Sequence, residues 1–129
     1  MTLRKSLTNV SKESQGVSMV NSRAKGARGE RMWRDFLRKH GHEARRGQQF
    51  SGKNGDPDVV SDMKDIHHEV KCQEHLNLYK AIEQSVSDAR DGEFPIVAHK
   101  KNNKEWLVTM RAEDWISLYD GGEHGTENR

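Results

Sequence analysis

Hydrophobic positions are unevenly spread along the chain, and their spacing changes character several times. Residues 1–22 hold only isolated Leu3, Leu7, Val10, Val17 and Val20 among Ser, Thr, Asn and Lys, so this segment is expected to be a flexible basic arm. Met19 is an alternative start, since organised sequence begins soon after it. From Arg23 to His40 the spacing turns to threes and fours: Ala27, Trp33, Phe36, Leu37 and His40 fall largely on one face, which predicts a helix that Gly41 ends. Short extended segments follow near Glu43–Gln48, Pro57–Asp62 and Ile66–Cys72, separated by the glycine-bearing stretch Ser51–Gly55 and a polar turn at Asp62–Asp65. Asn77 is a good N-cap for a second helix with Leu78, Ala81, Ile82, Ser85, Val86 and Ala89 as its inward stripe and Gly92 at its end. Strands at Phe94–His99 and Glu105–Met110 flank the polar turn Lys100–Lys104, and a last helix, Ala112–Tyr119, is expected to anchor through Trp115 and Ile116. Residues 121–129 read as a disordered tail. The order α-β-β-β-α-β-β-α, without internal repeats, predicts one minimal α/β domain over residues 23–120, a mixed sheet flanked by helices.

Length and composition bound what such a domain can be. The 129 residues supply one core, and 32% hydrophobic against 33% charged residues leave that core thin, which agrees with unfolded ends. No apolar run approaches the ~20 residues of a bilayer span, and no signal-peptide core follows Arg4 and Lys5, so a soluble protein of a bacterial, archaeal or phage-infected cytoplasm is expected. A single cysteine, Cys72, excludes an internal disulfide and a multi-cysteine zinc module. The net charge of +2 conceals an asymmetry: residues 1–53 carry 13 basic against 4 acidic side chains (+9), and residues 54–129 carry 9 against 16 (−7). A basic first half attracts polyanions, while an acidic second half can supply carboxylates for a divalent cation.

Within that acidic half, His67-His68-Glu69-Val70-Lys71-Cys72 is a strand whose period-two alternation places His67, Glu69, Lys71 and Gln73 on one side and Ile66, His68, Val70 and Cys72 on the other. A carboxylate and an ammonium therefore stand side by side. Upstream, Gly55-Asp56-Pro57-Asp58 brings another acid to the start of an apolar strand. The spacing is that of two neighbouring antiparallel strands, so Asp58 and Glu69 can converge on one hard cation, Mg²⁺ or Mn²⁺, which keeps several waters and meets a phosphate oxygen. Lys71 beside it can orient or deprotonate the attacking water, or neutralise charge on the transition state. Glu30 lies three and seven residues before Trp33 and Leu37 and so shares their inward face, where an acid needs a partner. Asp56 reads as a turn-former rather than a ligand.

Gly55-Asp56-Pro57-Asp58 followed by Glu69-Val70-Lys71 resembles the signature of the PD-(D/E)xK nuclease superfamily. The stretch Lys25-Gly26-Ala27-Arg28-Gly29-Glu30-Arg31, opening an amphipathic helix, narrows the resemblance to archaeal-type Holliday junction resolvases and their phage-encoded relatives, over roughly Arg23 to Tyr119. The resemblance implies a restriction-endonuclease-like core and a metal-dependent homodimer that nicks four-way DNA junctions symmetrically, leaving 5′-phosphates, in recombination, repair or phage DNA processing. It maps the metal ligands onto Glu30, Asp58 and Glu69 and the catalytic lysine onto Lys71. Gln73 and Gln84 correspond to supporting polar positions, and Arg45, Arg46, Gln48, Ser51 and Lys53 resemble a basic, serine-containing loop that meets the DNA backbone. Lys25, Arg28 and Arg31 join them as expected DNA contacts.

Each feature also has a plainer meaning. Glu-x-Lys taken singly is commonly a solvated strand pair, and only the three acids and the lysine in order lift it to a metal site. His67, His68, Cys72 and His75 do not make a zinc site, because His68 and Cys72 face away from His67 and a fourth ligand is missing. Cys72 reads as a small buried hydrophobe, and Trp33, Trp106 and Trp115 as core rather than base-stacking platforms. Among functions, a flap, nicking or repair nuclease would use the same four residues, and a non-catalytic DNA-binding module would keep the fold while using the acids structurally.

Overall fold

A computed structural model of the chain describes residues 23–48 and 55–121. The expected arm, the tail beyond Gly121, and Ser51 and Lys53 lie outside the described residues. Helix α1 runs through residues 23–39 and stops where the sequence provides a glycine: Gly41 adopts φ +92°, and the His42 N–H turns back to donate to the Leu37 carbonyl at 3.0 Å. Five strands follow, β1 (Ala44–Arg46), β2 (Val59–Ser61), β3 (Ile66–Cys72), β4 (Phe94–Lys100) and β5 (Leu107–Met110), with helix α2 (Leu78–Asp88) between β3 and β4 and helix α3 (Ala112–Asp120) last. They form one sheet in the order β1-β2-β3-β4-β5. β3 and β4 are parallel, as two strands joined by a helix must commonly be, and every other neighbouring pair is antiparallel. The mixed sheet flanked by helices is the architecture the pattern predicts.

The amphipathic stripe of α1 makes the main core. Trp33 and Leu37 pack with Ala44, Val59, Val70 and Ala98 from four strands, and Phe36, Cys72 and Trp106 close around them. The aromatic rings meet at 4.9 Å (Trp33 to Trp106) and 5.3 Å (Trp33 to Phe36) between centroids. Into this apolar layer the chain sends His68, 1% exposed. Its Nδ1 accepts from the Trp33 indole N–H at 3.1 Å, which leaves the hydrogen on Nε2 to donate to Ser61 Oγ at 2.9 Å. Burial pushes the His68 imidazole down to about 4, so it stays neutral and the network remains satisfied. Helix α2 packs against β3 and β4, with the Asn77 side chain capping it and Ala81 and Ser85 buried, the latter donating to the Ile96 carbonyl at 2.9 Å. It ends at Asp88 with Ala89 as its cap, before Gly92.

One expectation fails. Trp115 and Ile116 do not anchor α3: they are 55% and 49% exposed, and the buried residue of the helix is Asp114, whose carboxylate accepts from Arg111 Nε at 2.8 Å. The helix follows β5, the edge of the sheet, where less of the domain lies to cover it, and Trp115 instead stacks on Tyr119 one turn along, centroids 6.2 Å apart. Among the described residues no helix is long and apolar enough to cross a membrane.

Candidate active site

The site forms where β2 and β3 part. Val59 pairs with His68, and Asp58, just ahead of β2, lies near enough to Glu69 to feel its charge. The Asp58 N–H still donates to the His68 carbonyl at 3.0 Å, but the next ladder bond is made by a side chain: Val70 N–H donates to Asp58 Oδ2 at 2.9 Å. The carboxylate thus replaces a main-chain acceptor, and its position is fixed by the sheet. Asp56, two residues earlier, behaves as the turn-former the sequence indicates, accepting from Gln48 N–H at 3.0 Å and pairing with Arg45 at 3.3 Å; these contacts hold its carboxyl below the usual range.

Strand alternation turns Glu69 and Lys71 away from the α1-covered side that holds His68 and Val70. Glu69 is buried, with Lys71 Nζ 3.8 Å from one of its oxygens and His67 Nε2 3.8 Å from the other. Glu30, half-buried on α1, completes the set of acids. Its Oε1 accepts from both Arg46 Nε at 3.1 Å and a terminal guanidinium nitrogen at 3.0 Å. Arg46, expected to meet phosphate, is thus bound to an acid of the site, since a half-buried carboxylate beside two others draws a guanidinium to it. Arg45 is likewise paired, whereas Lys25, Arg28 and Arg31 lie exposed on α1.

Glu30, Asp58, Glu69, Lys71, Gln73 and Gln84 line one cleft of about 380 Å³, together with Lys25 and Cys72. Burial first, and then the negative charge of Glu69, raise the Asp58 carboxyl to about 7; Glu30 adds to the rise, while the Val70 N–H and Lys71 oppose it. That elevation measures an unmet demand for positive charge among oxygen donors, and such a donor set fits a hard divalent cation better than a soft one. Among the described residues no three His, Cys, Asp or Glu side chains stand close enough to hold an ion as they are. Glu30 is engaged with Arg46.

A solved structure of Hjc, a Holliday junction resolvase from the archaeal hyperthermophile Archaeoglobus fulgidus, is similar to this chain, at 30% identity and a TM-score of 0.52 over 64% of this chain and 73% of that one. The chain has a resolvase-like nuclease fold. No protein-family profile and no curated protein matches it. On this resolvase-like frame, sequence reasoning located the strand pair and the helix acid but missed a buried chain behind them. His67, 2% exposed, lies between Glu69 and Glu93, its Nδ1 3.6 Å from Glu93 Oε1, and its Nε2 has no hydrogen-bond partner. Glu93 immediately precedes β4, and only the parallel register of Ile66 with Phe94 brings it to His67. The histidine's place on the Glu69 side of β3 was readable from alternation; its second carboxylate was not.

Proposed function

We propose that this protein is a PD-(D/E)xK endonuclease, dependent on Mg²⁺ or Mn²⁺, that cuts branched DNA as a homodimer, with the four-way junction as its preferred substrate. The observation that carries the reading is the gathering of Glu30, Asp58, Glu69 and Lys71 on one cleft within a resolvase-like fold. Asp58 and Glu69 would hold the metal, with Glu30 joining from α1 when it parts from Arg46. The ion, when bound, supplies Lewis acidity at a phosphate oxygen and lowers the pKa of a water. The protein's own contribution is positional. The ladder bond from Val70 fixes the Asp58 carboxylate, and burial fixes Glu69. Lys71, held near Glu69 by charge, orients the water that bonds to phosphorus or offsets the negative charge that grows on the phosphoryl oxygens as the bond from phosphorus to the 3′-oxygen breaks, leaving the phosphate on the 5′ side. Gln73 and Gln84 border the cleft and are assigned to positioning water and phosphate there.

The test is incubation of the full chain with four-way, flap, linear duplex and single-stranded DNA, with and without Mg²⁺. Paired nicks in the four-way junction that appear only with metal support the reading. Cutting confined to flap DNA replaces it with a repair-type nuclease of the same superfamily, and tight binding without cutting in Mg²⁺ makes the domain a DNA-binding module.

A further inference from the structure

A second depression adjoins the acidic cleft. It is lined by Lys25 and Arg28 of α1 and by Lys100 and Lys101 at the end of β4, with Cys72 common to both hollows. The neighbourhood is set by topology: Cys72 is the sheet partner of Lys100, and α1 crosses above it so closely that Gly29 leaves no room for a side chain, a built Cβ falling 2.9 Å from the Cys72 sulfur. Cations separated by about seventy positions in sequence therefore converge around one thiol. Among the described residues none of the four has a carboxylate within ion-pair distance, in contrast to Arg45, Arg46 and Lys71 in and around the site. Among the described residues Lys100 Nζ donates only to the Lys101 carbonyl, at 3.1 Å. The nearby acid Glu74 keeps its charge but accepts from the Asn102 N–H at 2.5 Å and, among the described residues, forms no ion pair with either lysine. Uncompensated like charges held together cost free energy unless a polyanion arrives.

The geometry points to a phosphate track: the strand that is cut in the acidic cleft continues past Cys72, and its flanking phosphates lie between Lys25 and Arg28 on one wall and Lys100 and Lys101 on the other. This inference rests on the nuclease reading above and extends its DNA surface to the end of β4, which neither the α1 cluster nor the loop before Asp58 includes. The occupant is nucleic-acid backbone, argued from charge complementarity and from continuity with the cleft that holds the reacting phosphate. The contacts carry no base information, so the track serves any sequence.

The experiment uses the full chain in EDTA with a four-way junction and a linear duplex as probes, so that binding is read without cutting. Lys100→Ala/Lys101→Ala should weaken binding roughly 10- to 100-fold near 0.1 M salt and lower the slope of log K against log[salt] by about 2, whereas Lys64→Ala, in the turn at the far end of β3, should change neither. In the unaltered protein, DNA should slow alkylation of Cys72, the single thiol, by maleimide at least about fivefold, as expected of a half-buried group covered by backbone. Equal slopes and unprotected Cys72 in a protein that binds and cuts DNA overturn the track alone. Absence of any DNA binding by the unaltered chain overturns both the track and the nuclease reading.

Discussion

Gly29 offers a way to test how α1 is seated, because the residue after it is Glu30. Alanine there would place Cβ 2.9 Å from the Cys72 sulfur and 3.3 Å from its Cβ, against the ~3.5–4.0 Å of ordinary contacts. Two effects then compete. In a helix interior alanine is favoured over glycine by about 1 kcal/mol, while overpacking a close contact costs about 1–3 kcal/mol. The cysteine is short and held in a strand, so it cannot swing aside, and Gly29→Ala is expected to lower stability by about 0–2 kcal/mol on balance. Cys72→Ala alone should cost about 1 kcal/mol for the lost packing. In that background the 2.9 Å contact is gone and only the 3.3 Å approach to the residue-72 Cβ remains, so Gly29→Ala should lie between neutral and stabilising by about 1 kcal/mol. Urea denaturation of the four proteins reads the coupling directly, expected at about 1–3 kcal/mol. An equal effect of Gly29→Ala in both backgrounds would show that α1 does not sit this close to β3, and the placement of Glu30 beside Asp58 would fall with it.

Two further outcomes follow from the site and its support. His68 stays neutral down to about 4 in the folded protein, whereas in the unfolded chain it takes up a proton near 6.5. Stability from this group is therefore full above pH 6.5 and falls by about 1.4 kcal/mol per unit toward pH 4, about 3 kcal/mol in all. Asp58 has the opposite sign: its folded value near 7 exceeds its unfolded value, so its contribution favours folding at low pH and is lost as pH rises through 7. Urea titrations of Asp58→Asn between pH 7 and 4 isolate the histidine, and a flat profile in that variant would refute its buried neutral state. Lys71→Ala should reduce single-turnover cutting with Mg²⁺ on the order of 10²–10³-fold while DNA affinity in EDTA changes little, and wild-type turnover would remove the lysine from the mechanism.

Much of the fold was legible because local signals agreed with one another. The Asn77 cap, the alternation of Ile66–Cys72 and the three-and-four spacing that ends at Gly41 each needed only neighbouring residues, and all three elements lie where the pattern places them. Val59–Ser61 is shorter than expected for a physical reason at its start: at Asp58 a side chain takes over from the main chain in bonding to β3, which no periodicity reveals. Long-range partners were the other gap. Arg46 reads as a phosphate-seeking cation until α1 folds over it and presents Glu30, and Glu93 is an ordinary loop acid until β4 aligns with β3. Trp115 reads as core from bulk and apolarity, but these indicate a core only where the fold supplies an opposing surface, and the sheet edge beside α3 supplies less of one. The order of three acids and a lysine was visible in the linear chain; that Glu30 turns toward Arg46 was not.

The bond from Val70 to the Asp58 carboxylate has a practical corollary for anyone who wants a silenced version of this protein to trap a DNA complex. Truncation to alanine at position 58 would strip an acceptor from a main-chain amide inside the sheet, at about 1–3 kcal/mol. Such a mutant would conflate chemical inertness with a loosened scaffold. Asparagine keeps an oxygen in the same place while discarding the formal charge, so under the proposed mechanism it should silence cutting and spare the architecture.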